Sequence, residues 1–289
     1  MSKPQWCAES VIHPVRVSYK ASRVLAELKT AYQQVVILEN ETFGRVLMLD
    51  GAVQTTTQDE FVYHEMLAHV PLLTHGSARD VLIIGGGDCG LAAQVLKHRA
   101  LQSLTQVELD PDVVELSRRY FSQINAAVFS DNRFQLHYAD GAAFVRDTEQ
   151  FFDVVLVDST DPVGAARSLF TPDFYTAARK RLRPGGVLVC QAGVPFVQSQ
   201  VFGSTMRSLA QAFALVDNYL VASPSYFGGH LAFGWASEDL KAESVDVQTI
   251  AERYAGSGVL TRYYTPEMHK AAFVLPPYVA ALRNPEGTA

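Results

Sequence analysis

From residue 80 onward, short apolar runs alternate with segments of helical character, and this alternation constrains the fold more than any other feature. The runs that we predict as strands are Val81–Ile84, Leu104–Glu108, Arg133–Tyr138, Asp153–Val157 and Val187–Gln191. Helices are expected between them, over Leu91–His98, after the pair Asp110-Pro111, and from near Gly141 and Thr171. Because successive strand–helix–strand units pack as parallel neighbours, the pattern predicts a Rossmann-like, doubly wound α/β sheet.

The segment before residue 75 has a different pattern, in which turn residues separate short β-prone runs. These runs are Gln34–Glu39, Arg45–Leu49 and Ala52–Thr56, and they predict the hairpins of a small antiparallel β domain. Gln58–Leu73 has apolar residues at near-helical spacing and predicts a helix that leads into the main domain. We therefore expect an N-terminal domain over 1–75 and a Rossmann-like domain over 76–289, in which Leu215–Val221 and Gly229–Ala236 form a closing antiparallel pair.

Composition excludes several classes of protein. At 289 residues and 48% hydrophobic, the chain is long enough to bury a large core. A net charge of −6 without a lysine- or arginine-rich tract argues against nucleic acid as the main partner. The cysteines Cys7, Cys89 and Cys190 are far apart, so neither a disulfide framework nor a zinc site is expected. No apolar stretch reaches the roughly 18 residues of a membrane span, and we expect a cytoplasmic protein.

Polar residues stand at the end of each of four predicted strands. They are the loop Gly85–Gly90, Glu108, the pair Asp140-Gly141, and Asp158. Ligands of doubly wound sheets bind at the carboxyl ends of the strands. Glu108 follows Gly90 by 18 residues, where an acidic side chain accepts hydrogen bonds from ribose hydroxyls, and Asp140 is expected at the adenine edge. The glycine loop lacks the full Gly-x-Gly-x-x-Gly register, so it resembles class I S-adenosylmethionine-binding folds more than dinucleotide-binding folds.

Acidic residues at this edge indicate a positively charged ligand, and we interpret that ligand as a polyamine. Asp88 lies within the glycine loop, and Asp158 and Asp161 follow the fourth strand. A primary amine has a pKa of about 10.4, so at neutral pH it is protonated and has no lone pair with which to attack. A site that alkylates an amine therefore needs a group that accepts the proton and holds the nitrogen in line, and a carboxylate with tyrosine hydroxyls meets both needs.

Several longer motifs carry a family resemblance. They are DEFVYHEM at 59–66, VLIIGGGDCG at 81–90, DSTDPVG at 158–164 followed by Ser168-Leu169-Phe170, PSYFGG at 224–229, and RYY at 262–264 with AAFVLP at 271–276. From about residue 33 to the C-terminus, the chain resembles the spermidine synthases, a family of polyamine aminopropyltransferases. The resemblance implies transfer of an aminopropyl group from decarboxylated S-adenosylmethionine to putrescine, giving spermidine and 5′-methylthioadenosine. It implies no metal or redox cofactor, small-molecule partners, and a homodimer or larger homo-oligomer.

The resemblance also implies a role for individual residues. Asp158 matches the proton acceptor, and Tyr63 and Tyr226 match the tyrosines that flank the attacking nitrogen. The positions that match contacts to the polyamine or the aminopropyl group are His64, Asp88 and Asp161. The positions that match contacts to the nucleoside are Gln33, Gly85, Gly87, Glu108, Asp140, Gly141 and Ala165.

The chain departs from the family pattern at three places. Cys89 replaces the last glycine of the loop, which strains the backbone by roughly 1 kcal/mol or more if that position has a positive φ. Ala165 replaces a proline, which should loosen the loop 162–170 that we expect to close over the site. The segment Glu9–Thr30 is the least family-like part and shapes the distal end of the amine pocket, so cadaverine, agmatine or a longer polyamine remain alternatives to putrescine.

Two other classes of function fit the same fold. A class I methyltransferase would have to accommodate the carboxylate of S-adenosylmethionine, which Asp88 opposes. A non-catalytic polyamine or nucleoside sensor would keep the pocket without the proton acceptor, whereas Asp158 is present.

Overall fold

The computed structural model describes residues 5–9 and 14–283, in which the strands form three sheets. The first is an antiparallel pair of β1 (Gln5–Glu9) and β2 (Val17–Ala21). The second is an antiparallel sheet in which neighbours along the chain are neighbours in space: β3 (Arg23–Lys29), β4 (Gln34–Asn40), β5 (Gly44–Leu49) and β6 (Ala52–Thr56). The three strands predicted in this region are confirmed as β4, β5 and β6, whereas β1, β2 and β3 were not predicted.

The turn between β5 and β6 shows why this sheet could be found from sequence. Leu49 pairs with Ala52, so the loop consists of Asp50 and Gly51 alone. Both have positive φ, 47° and 78°. This is the left-handed geometry of a two-residue hairpin turn, which the Asp-Gly pair strongly favours.

The third sheet has seven strands: β7 (Asp80–Gly85), β8 (Ser103–Glu108), β9 (Phe134–Tyr138), β10 (Phe152–Asp158), β11 (Leu182–Gln191), β12 (Leu215–Val221) and β13 (Leu231–Ser237). Their spatial order is β12-β13-β11-β10-β7-β8-β9. Five neighbouring strands are parallel, in the order β11-β10-β7-β8-β9. Strand β13 is antiparallel to both β11 and β12. The predicted doubly wound sheet with a closing antiparallel pair is therefore confirmed. The strand order reverses beside β7, which is where such sheets bind ligands.

Ten helices accompany these strands in the described part of the chain: α1 (Glu60–His75), α2 (Gly90–Leu96), α3 (Pro111–Tyr120), α4 (Ser122–Asn125), α5 (Gly141–Asp147), α6 (Pro172–Arg179), α7 (Ser199–Ala212), α8 (Val247–Ser257), α9 (Pro266–Ala271) and α10 (Pro277–Arg283). Short 3₁₀ turns occupy Val128–Ser130 and Gly164–Phe170. Of the helices in the described residues, none is long and apolar enough to cross a membrane.

The central strands are buried on both faces, which explains their continuous apolar sequences. In β7, Val81 and Ile83 belong to one hydrophobic cluster while Leu82 and Ile84 belong to another, and each is at most 1% exposed. Alternate side chains of a strand point to opposite faces, so a strand covered on both faces is apolar at every position.

Helix α1 lies within the core and anchors the C-terminal part of the chain. Glu65 is 1% exposed, and its carboxylate accepts hydrogen bonds from the backbone N–H groups of Arg262, Tyr263 and Tyr264, each at 2.8 Å. The helix ends at Gly76, which has a φ of 78° and donates its N–H to the carbonyl of Leu72. The C-terminal helices thus pack against the helix that also carries two predicted site residues, Tyr63 and His64.

Candidate active site

A cavity of about 530 Å³ lies between the carboxyl ends of the central strands and the N-terminal sheet. This is within the usual range for sites that bind small molecules. The N-terminal part of the chain contributes Glu9, Gln33, Leu49 and Gln54 to its lining, and the strand ends, helix α1 and the loop before β13 contribute further polar groups. The cavity therefore depends on both parts of the chain.

The backbone of the glycine loop after β7 packs directly against the end of β10. Gly85 and Gly86 have φ values of 86° and 68°, and the N–H of Gly86 donates to the carbonyl of Asp158 at 2.7 Å. A Cβ on Gly85 would overlap that same carbonyl, so glycine is required where the loop crosses the end of β10. The amide of Gln106 supports the loop by donating to the carbonyls of both glycines, at 2.9 and 2.7 Å.

Cys89, which replaces a glycine of the family pattern, has the left-handed backbone conformation that strains a residue with a side chain. Its φ is 58° and its ψ is 17°, and it directly precedes α2. The side chain is fully buried in the core cluster beneath the loop, and burial raises the pKa of the thiol. A buried, protonated thiol is a poor nucleophile, so the role of Cys89 is in packing.

Asp158 is the acid at the end of β10, and it has a tyrosine hydroxyl as a neighbour. Tyr63 Oη donates to Asp158 Oδ1 at 2.7 Å. Burial raises the pKa of Asp158 to about 6; the positive charge of His64 opposes this rise, and the negative charge of Asp88 adds to it. The carboxylate is thus ionised at neutral pH with a basicity above that of an ordinary aspartate, which suits a proton acceptor.

Tyr226 packs against Tyr63, and the two rings meet edge to face with centroids 5.9 Å apart. Its hydroxyl donates to the backbone carbonyl of Gln54 at 2.5 Å. Tyr226 therefore joins the loop before β13 to the N-terminal sheet. Burial raises the pKa of both tyrosine hydroxyls, so they stay protonated and act as hydrogen-bond donors.

A second acidic end of the cavity contains Asp161 and Glu9. Asp161 Oδ2 accepts a hydrogen bond from Gln198 Nε2 at 2.7 Å, and burial raises the pKa of this carboxyl group. Glu9 Oε1 accepts from the backbone N–H of Val53 at 3.0 Å. Burial raises the pKa of Glu9, and the negative charge of Asp161 contributes to the same shift. Two carboxyl groups that oppose each other's ionisation favour a cationic ligand between them.

His64 is 3% exposed and lies between two carboxylates. Its Nδ1 is 2.7 Å from Glu60 Oε2, and its Nε2 is 3.5 Å from Asp88 Oδ2. Burial alone would lower the pKa of His64, but the negative charges of Asp88 and Glu60 outweigh it and raise the pKa to about 9.

The other end of the cavity presents hydrogen-bond acceptors at the end of β8. Burial raises the pKa of Glu108 to about 7, although its Oε1 accepts the backbone N–H of Asp110 at 2.9 Å. Asp110 in turn orients Gln33, whose Nε2 donates to Asp110 Oδ2 at 2.9 Å. This arrangement leaves the amide oxygen of Gln33 free of that contact, so that it can accept a hydrogen bond from a ligand.

Residues that follow β9 and β10 complete the end of the cavity that contains Glu108 and Gln33. Asp140 caps α5, with Oδ1 accepting the N–H of Ala143 at 2.8 Å. A Cβ on Gly141 would overlap Ile84, so glycine is required for the close approach of α5 to the sheet. Ala165 lines the cavity from the 3₁₀ turn Gly164–Phe170.

The structure brings every site residue named from the sequence to this cavity: Tyr63, His64, Asp88, Asp158, Asp161, Tyr226, Gln33, Gly85, Gly87, Glu108, Asp140, Gly141 and Ala165. Their individual roles stay predictions. Four residues around the cavity were not predicted as site residues: Glu9, Glu60, Asp110 and Gln198. The four-residue spacing of Glu60 and His64 was a usable signal, because such pairs share one face of a helix. Asp110 was predicted only at the start of a helix, and no local pattern marked Glu9 or Gln198.

Comparison with known families gives two matches that together span most of the chain. The family model of the spermine/spermidine synthase domain matches residues 60–248. The family model of the spermidine synthase tetramerisation domain matches residues 5–57.

Individual proteins are similar over nearly the whole chain. A polyamine aminopropyltransferase of Ruegeria sp. (strain TM1040) is 46% identical over 282 residues, covering 98% of this chain and 99% of the relative. A crystal structure of a spermidine synthase in complex with the transition state analogue AdoDATO is 34% identical with a TM-score of 0.91, covering 97% of this chain and 96% of that one. The spermidine synthase of Thermotoga maritima is 34% identical with a TM-score of 0.90, covering 98% and 95%.

Proposed function

We propose that this chain, which belongs to the spermine/spermidine synthase family and is a polyamine aminopropyltransferase, transfers the aminopropyl group of decarboxylated S-adenosylmethionine to putrescine. The products are spermidine and 5′-methylthioadenosine. The observation that carries the proposal is the position of Asp158, a half-buried carboxylate that lines the cavity at the end of β10 and accepts a hydrogen bond from the hydroxyl of Tyr63.

The donor binds across the strand ends in this proposal. Glu108 and Gln33 accept hydrogen bonds from the ribose hydroxyls, and Asp140 with Gly141 lies beside the adenine. Asp88, which is 8% exposed, pairs with the ammonium of the aminopropyl group. A charge-assisted contact to a partly desolvated carboxylate is among the stronger hydrogen bonds in proteins.

The acceptor amine occupies the space between Asp158 and the second acidic end. Asp161 and Glu9 pair with its distal ammonium, and the other nitrogen lies beside Asp158, Tyr63 and Tyr226. A diamine with one charged end and one reactive end fits this distribution of carboxylates, which supports putrescine as the acceptor.

The transfer then needs a single proton acceptor. The amine nitrogen loses a proton to the ionised carboxylate of Asp158. It then attacks the aminopropyl carbon that is bonded to the sulfonium sulfur, and the new carbon–nitrogen bond forms as the bond between this carbon and the sulfur breaks. The sulfur keeps the bonding electron pair and leaves as a neutral thioether. No general acid is needed for the leaving group, which agrees with a site made of carboxylates and tyrosines.

We also propose that the chain assembles into a homo-oligomer through its N-terminal sheets. The match of residues 5–57 to a tetramerisation domain supports this assembly. So does Trp6 on β1, which is 58% exposed, because a large exposed aromatic side chain on a small sheet is typical of an interface.

Incubation of the purified protein with decarboxylated S-adenosylmethionine and a panel of amines tests the proposed function. The panel contains putrescine, cadaverine, agmatine and spermidine, and release of 5′-methylthioadenosine is measured by chromatography. We expect fastest release with putrescine and none with S-adenosylmethionine as the donor. A faster reaction with another amine would overturn putrescine as the acceptor. Methylation of any amine would indicate a methyltransferase, and tight binding without turnover would indicate a sensor.

A further inference from the structure

Glu60 and His64 form a buried pair one turn apart in α1. Glu60 Oε2 is 2.7 Å from His64 Nδ1, and the exposed fractions of the two side chains are 9% and 4%. His64 lines the cavity and Glu60 does not. Glu60 therefore does not contact a bound substrate directly, and its neighbour at the cavity wall is His64.

The other face of the His64 ring is fixed by the glycine loop. Asp88 Oδ1 accepts the N–H of Gly90 at 2.8 Å, which turns Oδ2 towards His64 Nε2 at 3.5 Å. A Cβ on Gly90 would overlap His64 Cε1, so the ring packs on the loop backbone at a distance that only glycine permits. The ring is thus held between two carboxylates with one nitrogen directed at each.

This geometry selects a protonation state. A neutral imidazole has one N–H and one lone pair, so one of the two carboxylates would face a lone pair. The doubly protonated ring donates a hydrogen bond to Glu60 and presents its second N–H to Asp88 in an ion pair at 3.5 Å. The ionisable groups that face it are Glu60 and Tyr63 on its own helix, Asp88 on the glycine loop and Asp158 at the end of β10. Farther out, Lys97 lies within electrostatic reach of Glu60 and donates to Gln94 Oε1.

We propose that Glu60 is a positioning residue for the transfer reaction: it orients the His64 ring and keeps it doubly protonated, which places a fixed positive charge beside Asp88 and Asp158. The inference rests on the function proposed above, in which Asp158 accepts the proton. Burial raises the pKa of Asp158, the positive charge of His64 lowers it, and the negative charge of Asp88 raises it. Asp88 can then bind the ammonium of the donor while Asp158 remains available as a base.

The variant Glu60→Gln tests this role because it keeps the size of the side chain and removes its charge. In the wild type, burial favours the neutral ring, but the negative charges of Asp88 and Glu60 outweigh it and raise the pKa of His64 to about 9. We expect the uncharged side chain of the variant to lower the pKa of His64 by roughly one unit or more, measured by NMR titration of the ring. The same substitution at the exposed Glu115 of α3 is the control.

A purely structural role for Glu60 would leave the pKa of His64 unchanged in the variant, and that result would overturn the proposal. A second measurement does not depend on activity or on the folding of the variant. The ¹³C and ¹⁵N chemical shifts of the His64 ring, assigned by comparison with His64→Gln, report its protonation in the wild-type protein. We expect a doubly protonated ring up to pH 8. A His64 that is neutral at pH 7 would overturn the proposal even if the aminopropyl transfer is confirmed, whereas a charged His64 in a protein without transferase activity would refute only the proposed function.

Discussion

At the scale of single residues, we propose that Asp88 distinguishes between decarboxylated S-adenosylmethionine and S-adenosylmethionine, which differ by one carboxylate. In our account Asp88 pairs with the ammonium of the decarboxylated donor. With S-adenosylmethionine it would also face an anion about 4–5 Å away, a repulsion of about 3–4 kcal/mol at an effective dielectric constant near 20, which the adjacent ammonium partly offsets. Rejection of S-adenosylmethionine by this repulsion needs no steric barrier.

The variant Asp88→Asn keeps the oxygen that accepts the N–H of Gly90 and removes the charge. We expect the affinity for the decarboxylated donor to fall at least ~10-fold, because a charge-assisted hydrogen bond is lost. The affinity for S-adenosylmethionine should fall less or increase. Calorimetric titration of both ligands measures this, with Asp239→Asn at an exposed position as the control. Equal loss of both affinities would show that discrimination lies elsewhere.

Cys89 offers a second test at this scale, which concerns stability alone. Its φ of 58° costs a non-glycine residue about 1–2 kcal/mol, whereas its buried thiol contributes packing. Cys89→Gly and Cys89→Ala both remove the thiol and differ mainly in their tolerance of this backbone conformation. We expect the glycine variant to be more stable than the alanine variant by about 1 kcal/mol in chemical denaturation. An alanine variant of equal or greater stability would contradict the strain at this position.

At the scale of elements, the sequence predicted best where neighbouring residues decide the structure. The Asp50-Gly51 turn and the apolar strands such as Val81–Ile84 have local signals, and both were found. The strand Arg23–Lys29 was missed because it is half exposed, is interrupted by a bulge after Val24, and mixes charged and apolar residues. Contacts between distant elements leave no local pattern. Glu9 reaches the site only because β1 packs near β6, and the role of Asp110 depends on Gln33, far away in the chain.

Glu65 is the clearest long-range contact between elements, since one buried carboxylate accepts three backbone N–H groups of the segment before α9. In Glu65→Gln the amide group has one acceptor oxygen, and its NH₂ group faces N–H donors. We expect a loss of about 2–3 kcal/mol in the free energy of unfolding. Urea denaturation of this variant beside Glu115→Gln, for which a change within about 0.5 kcal/mol is expected, measures the effect. Equal stability of the two variants would show that Glu65 does not anchor the C-terminal segment.

At the scale of the whole molecule, we propose that the N-terminal sheets form the interface of a homo-oligomer. A two-stranded sheet such as β1–β2 is marginal by itself, and it presents Trp6 to solvent beside a surface groove of about 390 Å³ that also contains Phe43 and Phe227. We expect sedimentation at micromolar concentration to give a multiple of 31.7 kDa. Trp6→Gln should weaken the assembly, whereas Leu260→Gln, at a residue that is 83% exposed after α8, should not. A wild-type monomer would contradict the proposed assembly.

The most direct test of the account is the single-turnover rate of Asp158→Asn. The asparagine retains an oxygen that can accept the Tyr63 hydroxyl, so we expect the decarboxylated donor and putrescine to bind with nearly unchanged affinity. Without a proton acceptor, the transfer step should be at least ~100-fold slower, since general base catalysis contributes 10²–10⁴-fold. Asp161→Asn is the matched comparison and should mainly raise the KM for the amine. Formation of 5′-methylthioadenosine by Asp158→Asn at a rate near that of the wild type would contradict the assignment of Asp158 as the base.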